Sequence, residues 1–250
     1  MPKIRFAGRI LPEAINLSVQ DHPTISWKSG LSGTEGRFEI SIVANAITVD
    51  CELHRFESQH FTEVYARASD LVSATINFHA FCTGVGFQAI LEKVSIDGGA
   101  EQPVIPQDQA LASLVSVVPT EQEVAQLHHI VLTDHALAQA LRDLADGLRT
   151  FHTGPVVAQR AVETIRNYFV PPGADYSAGW QPMRDALNLS RDYLQVITDL
   201  SIGPRHGDRS HIPTPQLRVG VERAWVVMNR FLAYRLLGST KLPERDFPPL

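Results

Sequence analysis

The sequence predicts an α+β N-terminal domain, an antiparallel sheet with one long helix, followed by an all-α up-down helical bundle. Three observations predict it. Before residue 97, short stretches alternate apolar and polar residues, the period of half-buried strands. One long run of helical spacing interrupts them between Phe61 and about Phe81. Beyond residue 119 the spacing is helical throughout, broken only by Pro, Gly and capping residues.

The elements follow in order. Ile4–Ile10 and Thr24–Trp27 are short apolar stretches of strand length. Residues 37–43 and 47–53 each alternate cleanly around a turn at Asn45, which predicts a hairpin with one buried face. In the long helix Val64, Ala68, Leu71, Val72, Thr75, Ile76 and Phe78 lie at helical intervals, and Gly84 ends it. Residues 87–96 return to a strand, stopped by Asp97-Gly98-Gly99. The domain is bounded at residue 100. Residues 101–119, with three prolines, are expected to form a linker, in which 111–118 has the composition of an edge strand.

The bundle is expected over 120–238 and a loose tail over 239–250. Thr120–Leu132 is its first helix. Asp134 caps the second, along which Leu137, Ala140, Leu141, Leu144 and Leu148 recur. Gly154-Pro155 opens the third, because proline suits a first helical turn. Trp180 or Gln181 opens the fourth, read as continuous through Met183, Leu187, Leu194, Ile197 and Leu200 until Gly203-Pro204 ends it. Thr214-Pro215 caps and starts the fifth, with the stripe Leu217, Val221, Trp225, Met228, Phe231, Leu232 and Leu236.

Composition narrows the function classes. The 250 residues are 44% hydrophobic and 20% charged, as in globular proteins. No apolar run reaches the ~18–20 residues of a membrane span. The first residues lack the apolar core of a signal peptide, and Cys51 and Cys82 make no disulfide framework, so a reduced, cytoplasmic protein is expected. Residues 1–118 hold 8 Lys+Arg against 13 Asp+Glu, a net −5, and residues 119–250 hold 14 against 14. An overall basic footprint for nucleic acid is therefore absent, and any such site must be a local patch.

That patch is Arg205-His206-Gly207-Asp208-Arg209-Ser210-His211, between the last two long helices. A connection that only had to turn would use Gly, Pro, Asn and Ser. An imidazole near its unperturbed pKa accepts or donates a proton at neutral pH. A guanidinium grips a phosphate through two parallel hydrogen bonds and stabilises charge developing on it. The two together suffice for metal-free cleavage of RNA through its 2′-hydroxyl, a group DNA lacks.

The arrangement Arg205-His206-x-x-x-x-His211 at a helix junction resembles the HEPN superfamily. Residues 160–166, Trp180-x-x-Met183 and 202–207 add to the likeness, which spans about 133–238. The resemblance implies an all-α bundle that dimerises so that two motifs meet. It also implies a metal-independent endoribonuclease of defence or toxin type, or a non-catalytic binding module derived from one. It assigns Arg205 and His211 to catalysis, with His206 at the family's intervening polar position. Asp208 and Arg209 fall in its variable gap, about which the resemblance says nothing; their charge alone makes them supporting or substrate-binding candidates, and the resemblance places Glu163 near the loop or the dimer face. RNA, a second copy and a repressing antitoxin are the implied partners, with no cofactor and no metal.

Other readings stay open. Arg205 and His211 are also compatible with a solvated loop, and Glu163 and Arg166 with a surface ion pair. Asp208 can pair with Arg205 or Arg209. His206, Asp208 and His211, with His128 or His129, have the ligand types of a zinc or manganese site but match no metal-binding spacing. Trp180 and Trp225 read as core anchors.

Overall fold

A computed structural model describes residues 2–19, 22–30, 32–54, 56–104, 111, 113–115, 121–149, 153–207 and 214–250; within these, nothing is described of the side chains of 121–123, 149, 214, 215 and 217. The chain divides into two compact units, Met1–Ile105 and Pro106–Leu250.

The first unit is a six-stranded antiparallel sheet in the order β2-β3-β4-β1-β5-β6. Its strands are β1 (Lys3–Leu11), β2 (Ile25–Lys28), β3 (Glu35–Val43), β4 (Ala46–Leu53), β5 (Gln88–Ile96) and β6 (Gln102–Pro103). Alternation puts Phe38, Ile40, Ile42, Ile47, Val49 and Leu53 on one face, all buried. Helix α1 (Phe61–Thr83) covers that face with Val64, Ala68, Val72 and Ile76. The other face carries charge pairs that match the register. Arg5 stands opposite Asp50 and holds it through Nε–Oδ1 at 2.7 Å and a second bond at 3.0 Å, and Lys3 meets Glu52 at 2.8 Å. Ala44 and Asn45 both have positive φ, the conformation of a tight hairpin turn. The Asn45 side chain steadies that turn by accepting from Leu17 N–H (2.7 Å) and donating to the Ile15 carbonyl (2.8 Å).

The second unit is helical: α2 (Glu121–Thr133), α3 (His135–Arg149), α4 (Gly154–Asn167), α5 (Trp180–Leu187), α6 (Arg191–Arg205) and α7 (Thr214–Leu236). Asp134 caps α3 by accepting from Leu137 N–H at 3.1 Å. Helices α3 and α4 are antiparallel, their close approach made by Gly147 against Gly154. Helix α6 lies antiparallel to α7, with Leu200 against Gly220 at one level and Tyr193 beside Arg223 at another. Ala158, Val162, Ile165, Met183, Ile197, Met228 and Phe231 fill the core, and Trp180 and Trp225 pack against it as anchors.

Several expectations change. The fourth predicted helix is two helices, because Asn188 takes a left-handed conformation (φ 51°) that closes α5, and Ser190 caps α6 by accepting from Tyr193 N–H. Gly203-Pro204 does not end α6, which runs on to Arg205: proline removes a single bond, and His206 N–H resumes the pattern on the Ile202 carbonyl at 3.1 Å. The tail is docked, not loose. Leu242 is buried, Leu250 N–H donates to the Asn188 carbonyl at 3.1 Å, and its own carbonyl accepts from Ser190 N–H at 2.6 Å. The stretch read as a linker also contributes to both units. Gln102–Pro103 pairs with β5, and Leu111, expected on an edge strand, is buried in the helical core.

Asp134 ties three helices at one end of the bundle. Its carboxylate accepts from the Tyr168 hydroxyl and from Arg235 at 3.2 Å. Burial alone would raise this carboxyl, but the bonds from Tyr168, Leu137 N–H and Arg235 outweigh it and hold the group below its ordinary value. A depressed folded-state pKa adds stability that is present above the unfolded value, near 3.9, and lost as pH falls through the folded one. Melting temperatures of the wild type and Asp134→Asn are therefore expected to differ near neutrality and to converge as the pH falls through the folded-state value. A gap that stays constant down to acid pH would exclude this linkage.

Candidate functional site

Arg205 and His206, the described start of the motif, sit where four helix ends meet. The close contacts of Gly154 with Gly147 and Val221, and of Gly220 with Leu200 and Pro155, bring the end of α3, the start of α4, the last turns of α6 and the first turns of α7 to one end of the bundle. Arg205 is the last residue of α6, where a cation complements the negative end of the helix dipole. His206 follows as the C-cap, and Gly207 turns the chain with φ 69°, a left-handed conformation that glycine adopts without strain. Both side chains are exposed, and among the described residues neither has a hydrogen-bond or ion-pair partner.

His211, Asp208 and Arg209 lie outside the described residues. What is described of the predicted set is thus Arg205 and His206, adjacent at the helix end, and Glu163. The Glu163 carboxylate accepts from Gln159 (3.0 Å), and Gln159 accepts from Thr198 of α6 (3.3 Å). Thr198 precedes Arg205 by two turns, about 10 Å along the axis. Glu163 therefore belongs to the α4–α6 contact and stands back from the corner. Arg166 bonds Asn167 at 2.8 Å and lies over the Trp180 ring at 5.0 Å, a cation–π contact that holds the chain after α4.

Two exposed apolar residues stand on the helices that flank the motif. Ile202 is 50% exposed one turn before Arg205, and Val219 is 37% exposed on α7. Their signal was present: both fall off the core stripes of their helices. Ile202 adds apolar surface one turn before the Arg205 guanidinium, a pairing suited to a base or to a protein partner. His128 and His129 are both exposed, and no group of three His, Cys, Asp or Glu with metal-holding geometry occurs among the described residues. Cys51 is buried in the sheet core, which pushes its thiol far above the ordinary value and makes it inert.

Residues 4–105 match the N-terminal domain, and residues 124–236 the C-terminal domain, of a family described as a domain of unknown function, DUF8168. This chain belongs to the DUF8168 family. The DUF8168 N-terminal match ends with the sheet unit, and the C-terminal match takes in the motif and closes at the last residue of α7. Neither description mentions HEPN. No curated protein and no solved structure matches the chain. Among the described residues no helix is long and apolar enough to cross a membrane.

Proposed function

We propose that the helical unit is a metal-independent endoribonuclease, acting in the cytoplasm as a homodimer in which two copies of the Arg-His corner line one cleft. One observation carries the reading. Arg205 and His206 stand exposed at the end of α6, with no partner among the described residues, where the chain turns toward α7. A purely structural arginine at that place would be expected to hold a carbonyl or a carboxylate, as Arg160 and Arg230 do elsewhere in the bundle.

In this reading His211 takes the proton of a ribose 2′-hydroxyl as its oxygen bonds to the adjacent phosphorus. Arg205 donates two N–H groups to the non-bridging oxygens and stabilises the phosphorane. The bond from phosphorus to the 5′-oxygen breaks, and His206, from the same or the second copy, returns a proton to that oxygen. The products are a 2′,3′-cyclic phosphate and a 5′-hydroxyl. Asp208 and Arg209 would adjust the loop's charge and grip on RNA. The setting is a defence or toxin-type effector, whose exposed corner an antitoxin-like partner would cover. The sheet domain, with its acidic surplus, is assigned to ligand or partner sensing and not to RNA.

Incubation of the full chain with end-labelled RNA in excess EDTA tests the proposal. Continued cutting, leaving 2′,3′-cyclic phosphate ends, is the expected result. Cutting that disappears with the chelator would mean metal chemistry. An intact dimer that leaves RNA whole under every condition would mean a binding module.

A further inference from the structure

We propose that the outer face of α1 is a docking seam for a second copy of this chain, formed by antiparallel pairing of two α1 helices. The inner face of α1, through Val64, Ala68, Val72 and Ile76, is occupied by the sheet. On the outer face Ala74, Phe78 and Phe81 follow one another at i, i+4 and i+7, and all three are exposed. Phe78 is 64% and Phe81 87% open to solvent. Apolar residues with that spacing form the seam by which one helix packs against another. A helix amphipathic on its inner side needs no phenylalanines on its outer one.

Shape and charge select the occupant. If two α1 helices meet head to tail with the two-fold between Asn77 and Phe78, Ala74 of one copy faces Phe81 of the other, and Asn77 faces Phe78. The small residue leaves room for the large one, so the same patch is its own complement, as a two-fold interface requires. Residues 71–91 contain no Asp, Glu, Lys or Arg, in a half of the chain that is otherwise net −5. Two such acidic domains repel least where neither carries charge, and the desolvated centre of an interface is depleted in charge. Asp70 lies one turn before Ala74 on the same side of the helix, and the Glu63 carboxylate is taken up by the Ser29 and Ser32 hydroxyls. An anionic lipid surface or a nucleic acid would find no cation in this stretch to hold it. The seam lies in the sheet unit, so it is independent of any pairing through the Arg-His corner.

Sedimentation of the full-length chain tests this. The wild type is expected to self-associate. Phe81→Glu and Ala74→Glu should each remove one step of association, weakening it by ~10-fold or more. The combined Ala74→Lys/Phe81→Glu variant sets opposite charges across the same two-fold and should regain the lost step. Both positions are exposed, so melting temperatures should stay near wild type; should Phe81→Glu melt early, Phe81→Gln replaces it in the comparison. A monomeric wild type overturns the proposal. So does association that Phe81→Glu leaves unchanged, or a combined variant that stays dissociated.

Discussion

His211→Ala is expected to slow RNA cleavage by ~10²–10⁴-fold, the contribution of a positioned general base, with no change in melting temperature. Arg205→Lys is expected to fail as well. Lysine keeps the charge but loses the planar fork that binds two phosphate oxygens at once. Arg205 is exposed and has no partner among the described residues, so its loss should leave the bundle intact. The pair of variants also separates two explanations for a dead enzyme. If both bind RNA as tightly as wild type and cut it slowly, the defect is in the chemistry. If Arg205→Lys loses binding while His211→Ala keeps it, the guanidinium also positions substrate. Wild-type rates in both variants would remove these residues from the mechanism.

Arg230→Met is expected to destabilise the helical unit by about 2–6 kcal/mol, at ~1–3 kcal/mol for each of the two carbonyls, those of Leu187 and Pro248, that would lose their donor, while the Asn188 carbonyl keeps the Leu250 N–H. Arg230 is only 5% exposed. Its guanidinium donates to the carbonyls of Leu187 and Asn188, each at 2.8 Å, and to that of Pro248 at 2.6 Å. It therefore closes α5, stitches the break before α6 and fastens the tail. Burial pushes its pKa below the ordinary arginine value, but the three carbonyls keep it matched as a cation. Methionine fills much of the same volume, which isolates the lost hydrogen bonds from a cavity effect. Chemical denaturation reads the stability, and hydrogen exchange at the Leu242 and Leu250 amides reads whether the tail comes free. A variant as stable as wild type, with those amides still protected, would contradict this role.

How much of the protein was legible beforehand differs by element. The β3–β4 hairpin was, because alternation and a turn residue are local signals and the buried face simply follows. So were the cap at Asp134 and the opening of α4 at Gly154-Pro155. The break at Asn188 was legible in principle: Asn is the commonest left-handed residue after Gly, and Ser190 is an N-cap type. The apolar spacing of Met183, Leu187, Leu194 and Ile197 continues across the break and hid it. The tail was misread for a different reason. Its prolines signal irregular backbone, and irregular backbone can still be docked when a buried donor such as Arg230 waits for its carbonyls. As for the candidate site, sequence placed the Arg-His segment after one long helix and before the next, where the structure describes it as far as Gly207. Glu163 illustrates the limit: helical position alone did not reveal that its carboxylate accepts from Gln159, which Thr198 of α6 bonds in turn.

Taken alone, the order of residues determined the two-part architecture, the strand faces, most helix starts and the concentration of acid, base and guanidinium groups in one connection. These rest on interactions between residues a few positions apart, which periodicity and capping chemistry record directly. The tertiary structure alone decided which side chains became partners across the fold: Arg230 with Pro248, Arg160 with Asp143, Tyr168 and Arg235 with Asp134. It also decided that Phe78 and Phe81 face outward. Pairing and exposure depend on which surfaces meet when the elements pack, and that information is spread over the whole chain.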